Sequence, residues 1–391
     1  MRVAVVAGPD PGHAFPAIAL CLRFRAAGDH PVLFTGRQWL DTARQAGVDA
    51  RELLGLDPED GDDDLDSGAK IHERAARMAV LNESSLREPA PDLIVSDVIT
   101  ACGGMVAESM GLPWVELTPH PLYLPSKGLP PLGSGLAPGV GVRGRLRDAT
   151  LRFLTARSVR QGNRQRSAAR VGIGLPATDP GPARRLIATL PGLEVPRPDW
   201  PAEAVVVGPL HFEPTTAVLD IPPGSGPVVV VAPSTATTGM QGLDDLALET
   251  LIPGQTLPDG ARVVVSRLRG PDAPVPPWAA VGLGRQDELL KRADVMICGS
   301  GHGIVSKTLL AGVPLVVVPG GGDQWEIANR IVRQGSGELI RPLTAESLAA
   351  TVGRVLATPS YREAARRAGA SGAGVADPVA VCRAALGGPA E

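Results

Sequence analysis

Two residues far apart in the sequence have the types needed to activate a hydroxyl group. His13 follows an apolar run at residues 3–7, within Gly8-Pro-Asp-Pro-Gly-His13-Ala-Phe-Pro16. On a loop between strand and helix, an imidazole can work as a general base near neutral pH. Asp97 ends another apolar run, Leu93-Ile-Val-Ser-Asp97. A carboxylate there can hold the imidazole tautomer and stabilise the imidazolium. Taken singly, His13 also reads as a hydrogen-bonding or capping residue, and Asp97 as a cap for the helix behind it. No serine in a nucleophile-elbow context accompanies them, so a base acting on a substrate hydroxyl fits better than a serine relay.

A second constellation lies in residues 294–324. Asp294-Val-Met-Ile-Cys298 reads as a strand, Gly299-Ser300-Gly301-His302-Gly303 as a glycine-rich turn, and residues 304–311 as a helix stopped by Gly312-Val-Pro314. A buried run at 315–318 then ends in Pro319-Gly-Gly-Gly-Asp323-Gln324. Glycines let backbone N–H groups approach a ligand, and the following helix aims its positive end at the same place. This asks for an anion, most simply a diphosphate, with Asp323 and Gln324 beside it for hydroxyl groups. The same loop also reads as a packing device. It is not the dinucleotide fingerprint, because Ile304 stands where the third glycine belongs.

The elements that must position these groups alternate. Apolar runs at residues 3–7, 31–34, 93–97 and 114–117 read as buried parallel strands, with helical patterns at 17–27, 38–46, 71–87 and 101–110. A further strand is expected at 205–207. Residues 213–227, rich in proline and glycine, look like an interdomain linker. The rhythm restarts with a strand at 228–232, leading into Pro233-Ser234-Thr235, and another at 262–265. Thr344 is an expected N-cap for a helix ending near residue 357, and helical segments at 361–370 and 376–386 follow. The fold class expected is α/β, with two doubly wound halves facing across a cleft.

Composition bounds the rest. The 391 residues carry a net charge of −3 and 44% apolar side chains, which suits a two-domain globular chain and excludes no-core and strongly basic nucleic-acid-binding classes. The first apolar run stops at Gly8, too soon for a signal peptide, and nothing approaches the roughly 18 apolar residues of a membrane helix. The cysteines, Cys21, Cys102, Cys298 and Cys382, are too scattered for a zinc site or disulfide framework. A cytoplasmic setting is expected. The cluster from Asp60 to Asp66 contains Asp-x-Asp, a pattern that can hold a divalent metal, but reads better as a solvated acidic loop. Residues 119–141 are too rich in proline and glycine for regular structure. Residues 143–170 hold nine arginines against Asp148. They read as an amphipathic helix with a solvated basic face, or as a face for an acidic acceptor or membrane surface.

The order of these features resembles the inverting, metal-independent glycosyltransferases of the GT-B fold, the family-1 group that includes the antibiotic and macrolide glycosyltransferases. Gly12-His13-Ala-Phe-Pro16 is similar to that family's N-terminal motif, whose histidine is the acceptor-activating base, and Asp97 stands where it keeps the partner aspartate. Asn163-Arg164 and Val171-Gly-Ile-Gly-Leu-Pro176 resemble its segment ahead of the linker. Ser234-Thr235 resembles its diphosphate loop, and Arg285-Gln286-Asp287 the run lining the base. Asp323-Gln324 matches its sugar-contacting pair, and Tyr361-Arg-Glu-Ala its C-terminal helix. Three positions depart. Gly299-Ser300-Gly301 replaces His-Gly-Gly, Ile327 replaces an asparagine, and Lys307 replaces a glutamate that accepts from the ribose. Cys298-Gly-Ser-Gly301 with Val305-Ser306 is also similar to the transferase that adds N-acetylglucosamine to lipid-linked peptidoglycan precursors.

The resemblance implies two Rossmann-like domains, 1–212 for the acceptor and 228–391 for the nucleotide sugar, joined by 213–227, with the last helix crossing back to the first domain. It implies His13 and Asp97 as the catalytic pair. Ser234, Thr235, Arg285, Gln286, Gly299, Ser300, Gly301, His302, Gly303, Lys307, Asp323 and Gln324 are the implied donor contacts. No metal or cofactor is expected beyond a nucleotide-diphosphate sugar as co-substrate, with a small-molecule acceptor, no nucleic acid, and a homodimer left open. Lys307 raises a donor lacking a ribose hydroxyl or carrying an extra negative group. A non-catalytic helper of the same fold and a sugar-nucleotide epimerase are the alternatives.

Overall fold

The computed structural model describes residues 1–57, 69–236, 239–271 and 274–387. The Asp60–Asp66 cluster lies outside them. Seven strands among the described residues form a first, all-parallel sheet: β1 (Arg2–Val6), β2 (His30–Thr35), β3 (Asp49–Glu52), β4 (Leu93–Asp97), β5 (Trp114–Thr118), β6 (Arg184–Ile187) and β7 (Ala204–Val206). Their order in space is β3-β2-β1-β4-β5-β6-β7. A second parallel sheet holds β8 (Val228–Ala232), β9 (Arg262–Ser266), β10 (Ala279–Gly282), β11 (Val295–Cys298), β12 (Leu315–Val317) and β13 (Gly337–Leu339), in the order β10-β9-β8-β11-β12-β13. Both are doubly wound. The strand order reverses between β1 and β4 in one sheet and between β8 and β11 in the other, and ligands of such sheets bind outside the carboxyl ends of those strands. The central strands β4, β8 and β11 are buried at every residue, as their unbroken apolar runs require.

Twelve α-helices cover the sheets among the described residues. In the first half they are α1 (Pro11–Ala26), α2 (Leu40–Gln45), α3 (Arg74–Arg87), α4 (Cys102–Ser109) and α5 (Gly141–Gly172). In the second they are α6 (Leu243–Thr250), α7 (Gln286–Leu290), α8 (His302–Leu310), α9 (Gln324–Gln334), α10 (Ala345–Ala357), α11 (Pro359–Ala370) and α12 (Pro378–Ala384). Thr344 caps α10, its side chain accepting from Ser347 N while Ser347 answers in a capping box. The last helix leaves its own half: Val379, Cys382 and Ala385 sit in the core built on Val3, Val5 and Phe24. Arg383 fixes it there, 2.9 Å from Asp29.

Two expectations change. The periodic pattern starts a helix at residue 17, but α1 begins at Pro11. Proline's fixed φ and missing N–H suit a helix's first position, so His13 rides on a helical turn rather than on a loop. The arginine-rich segment is one continuous helix, α5, but not an amphipathic one. Its only buried residues are Asp148 and Arg170, and Leu146, Phe153 and Leu154 are 66, 79 and 66% exposed.

Candidate active site

His13 and Asp97 meet at the first sheet's reversal point. Asp97 is the last residue of β4, fully buried, and its Oδ1 lies 2.7 Å from His13 Nδ1. Its Oδ2 accepts from Ile99 N at 3.2 Å and Thr100 Oγ1 at 3.3 Å, so the carboxylate cannot swing away. A carboxylate can only accept here, which puts a proton on His13 Nδ1 and leaves Nε2 bare. Burial pulls the His13 pKa down, but the charge and hydrogen bond of Asp97, with Asp10 and Asp323 behind them, outweigh it and raise it above the ordinary value of 6.5. The imidazole is thus a stronger base than a free histidine, with Nε2 as its proton-accepting nitrogen.

Asp323 brings the other half into this site. It precedes α9, is exposed, and its charge acts on His13, His120 and Tyr123, all from the first half. Sequence reasoning passed over the last two. His120 stands two residues past β5, its ring stacked on Tyr123 at 4.4 Å and edge-on to His13 at 6.5 Å. Its Nδ1 lies 2.7 Å from the Pro121 carbonyl oxygen, so Nδ1 carries the proton and Nε2 is bare. Burial lowers its pKa, and His13 lowers it further. The same rule that selected His13, a histidine just beyond a buried strand, would have selected His120 too.

The glycine loop lies at the other reversal point. Ser300 is held at φ 66°, in the left-handed region, and its buried Oγ has no partner. Gly301 is the N-cap of α8 and supplies no side chain to the first turn's N–H groups. A Cβ on Gly301 or Gly303 would meet nothing within 4 Å, so both border open space. A Cβ on Gly299 would instead fall 2.9 Å from Ser234 Cβ. Gln324 ties the loops together: its Oε1 accepts from Gly320 N at 2.9 Å and its Nε2 donates to Ser234 Oγ at 2.9 Å. Its amide is therefore largely spent on the protein. Thr235 is exposed at the tip of the same loop.

The remaining sequence-selected residues divide. Arg285 is paired with Asp287 at 2.5 Å, and this carboxylate pushes its pKa up. Gln286 and Lys307 meet, Lys307 Nζ donating to Gln286 Oε1 at 3.1 Å. His302 turns away from the loop into the first half, its Nε2 2.8 Å from Thr189 Oγ1. Burial pushes its pKa down to about 3. The four cysteines are free and buried. Among the described residues no cluster of three or more histidine, cysteine or acidic side chains has metal-site geometry, and no helix is long and apolar enough to cross a membrane.

Two doubly wound parallel sheets, with His13 and Asp97 at the reversal point of one and the glycine loop at that of the other, give the GT-B fold. Residues 284–378 match the glycosyltransferase family 28 C-terminal domain. Over 405 aligned positions, and 94% of each chain, the protein is 29% identical to 4'-demethylrebeccamycin synthase of Lentzea aerocolonigenes. Its fold is similar to the glycotransferase of kitacinnamycin, with a TM-score of 0.74 at 20% identity, covering 98% of this chain and 97% of that one. It is also similar to a Streptomyces sp. SF2575 glycosyltransferase complexed with thymidine diphosphate, with a TM-score of 0.68 at 18% identity over 98 and 99% of the chains. The matched domain and the full-length relative make the chain a glycosyltransferase, similar to the family-1 type of the antibiotic and macrolide glycosyltransferases.

Proposed function

We propose that the protein moves a sugar from a nucleotide-diphosphate donor to a hydroxyl of a small, natural-product-like acceptor, inverting the anomeric carbon and using neither metal nor resident cofactor. The observation that carries this reading is the 2.7 Å contact between His13 Nδ1 and Asp97 at the sheet's reversal point, which leaves Nε2 as the nitrogen that can accept a proton. The relative named for 4'-demethylrebeccamycin and the neighbour bound to thymidine diphosphate support the acceptor and donor classes. Domain 1–212 takes the acceptor and domain 228–391 the donor, joined by 213–227. Four free, buried cysteines fit a reducing, cytoplasmic setting.

His13 Nε2 takes the acceptor's proton as its oxygen bonds to the anomeric carbon from the face opposite the leaving group. The bond from that carbon to the diphosphate oxygen breaks, and the electron pair leaves with the diphosphate. The imidazolium formed is stabilised by Asp97. The departing charge is met by the first-turn N–H groups of α8 and its dipole. Asp323 holds a sugar hydroxyl beside the base, and Gln324 keeps the two donor loops in register.

His13→Ala should lower kcat by about 10² to 10⁴, the contribution of a positioned base, with donor binding retained. Turnover within about threefold of the wild type, measured by mass-spectrometric product formation, sinks the assignment.

A further inference from the structure

Lys307 lies on α8 five residues beyond its first position, about 7.5 Å along the axis. A lone ammonium there would invite an extra anionic group on the donor, but this one is already spent. Its Nζ lies 2.6 Å from Glu213 Oε1, and the two side chains are only 10 and 15% exposed. Glu213 belongs to the segment joining the two sheets, and its Oε2 accepts from Gln286 N at 3.1 Å. Gln286 in turn donates to Ser266 Oγ at 3.4 Å, at the carboxyl end of β9. Four residues from four separate segments thus converge at the carboxyl edge of the second sheet. The ion pair is neutral as a whole. What it presents is a carboxylate, which can only accept hydrogen bonds: Oε1 is enclosed against Lys307, and Oε2 keeps a lone-pair position beyond the one that Gln286 N takes.

We infer that Glu213 reads the sugar hydroxyls of the donor's nucleoside, with Lys307 and the Gln286 backbone as the groups that orient it. The inference rests on the donor reading above. A diphosphate on the first turn of α8 leaves its nucleoside about the distance of Lys307 away, and hydroxyl groups are the donors that a fixed carboxylate selects. The ligand class is a nucleoside diphosphate with a free ribose hydroxyl. A donor with an added anionic group gains nothing from Lys307, whose charge Glu213 compensates.

Calorimetric titration tests this with the full chain. Uridine, thymidine and guanosine diphosphates are compared, and the tightest is then set against its analogue lacking all ribose hydroxyls. Wild type should prefer the hydroxyl-bearing form by about tenfold or more, the range of a hydrogen bond to a charged group. Glu213→Gln should reduce the preference to about threefold or less, leaving the affinity for the analogue unchanged. The neutral pair Glu213→Gln with Lys307→Met guards against instability from an unpaired ammonium and should behave alike. Equal wild-type affinity for the two forms, or a wild-type preference kept in both variants, overturns the inference while the donor reading stands. Failure of every nucleoside diphosphate to bind wild type overturns both.

Discussion

At the scale of single residues, the site depends on one tautomer. Asp97 fixes the proton on His13 Nδ1 and raises the imidazole's pKa above 6.5 against the pull of burial. A base must be neutral to act, so kcat/KM should rise with pH through a midpoint above 6.5 and fall away below it. Asp97→Asn removes the charge that raises the pKa and offers an amide that can donate to Nδ1, placing the proton on the wrong nitrogen. Its kcat should fall by about two orders of magnitude or more, and the remaining acid limb should shift to lower pH. A pH–rate profile unchanged in position would show that Asp97 does not tune His13. Both residues were legible because each follows a strand-like apolar run, His13 in the segment after residues 3–7 and Asp97 directly after Leu93-Ile-Val-Ser96. Glu213 was not. Its meaning comes from Lys307, 94 positions away, and only folding brings them to 2.6 Å.

At the scale of elements, the turn between β11 and α8 stores strain where the donor is proposed to sit. A serine at φ 66° costs about 1 kcal/mol relative to glycine, and an orphaned buried hydroxyl adds to it. Ser300→Gly should therefore raise the unfolding free energy by about 1 kcal/mol, visible in denaturant melts, while weakening nucleoside diphosphate binding if the strained turn is shaped for the ligand. A loss of stability would mean that the hydroxyl has a partner in the folded protein. The turn was legible as a turn, since glycines at 299, 301 and 303 permit little else. Its strain was not, because φ at Ser300 is dictated by how β11 and α8 meet. The central strands were equally legible from their valine and isoleucine runs. The short strands β3, Asp-Ala-Arg-Glu, and β13, Gly-Glu-Leu, were not, because half-exposed edge strands lack that pattern. For α5 the pattern misled: its interleaved leucines and arginines imply a buried stripe that the fold does not supply.

At the scale of the whole molecule, the two halves are joined by polar contacts whose charge state matters. His302 Nε2 lies 2.8 Å from Thr189 Oγ1, and His211 Nε2 lies 2.9 Å from Ser306 Oγ. Arg330 reaches from α9 to the Leu193 carbonyl at 2.7 Å, and Glu326 takes Gly133 N and Gly135 N at 3.0 Å each. The last contact pins the irregular segment after β5 onto the second half, so this part of the first half is shaped partly by the second. Burial pushes both His302 and His211 down to about 3, the latter helped by the charges of Lys307 and Arg23. Both stay neutral in the folded protein across the ordinary pH range, whereas in the unfolded chain each takes up a proton near 6.5. Below that value the unfolded state binds more protons, so stability falls as pH is lowered from about 6.5 toward 3. Each group can cost about 2 kcal/mol by pH 5. His13 acts with the opposite sign: its raised pKa contributes stability that is full below 6.5 and is lost as pH rises through its folded value. A melt at pH 7.5 and at pH 5.0 would give the net of these, so the discriminating measurement is a comparison with His302→Gln. That variant removes one titrating group and keeps a side chain able to bond Thr189. It should lose less stability between the two pH values than the wild type, by about 2 kcal/mol or somewhat under. An identical pH dependence in the two proteins would mean that His302 is not held neutral, and that the interface between the halves is indifferent to acid.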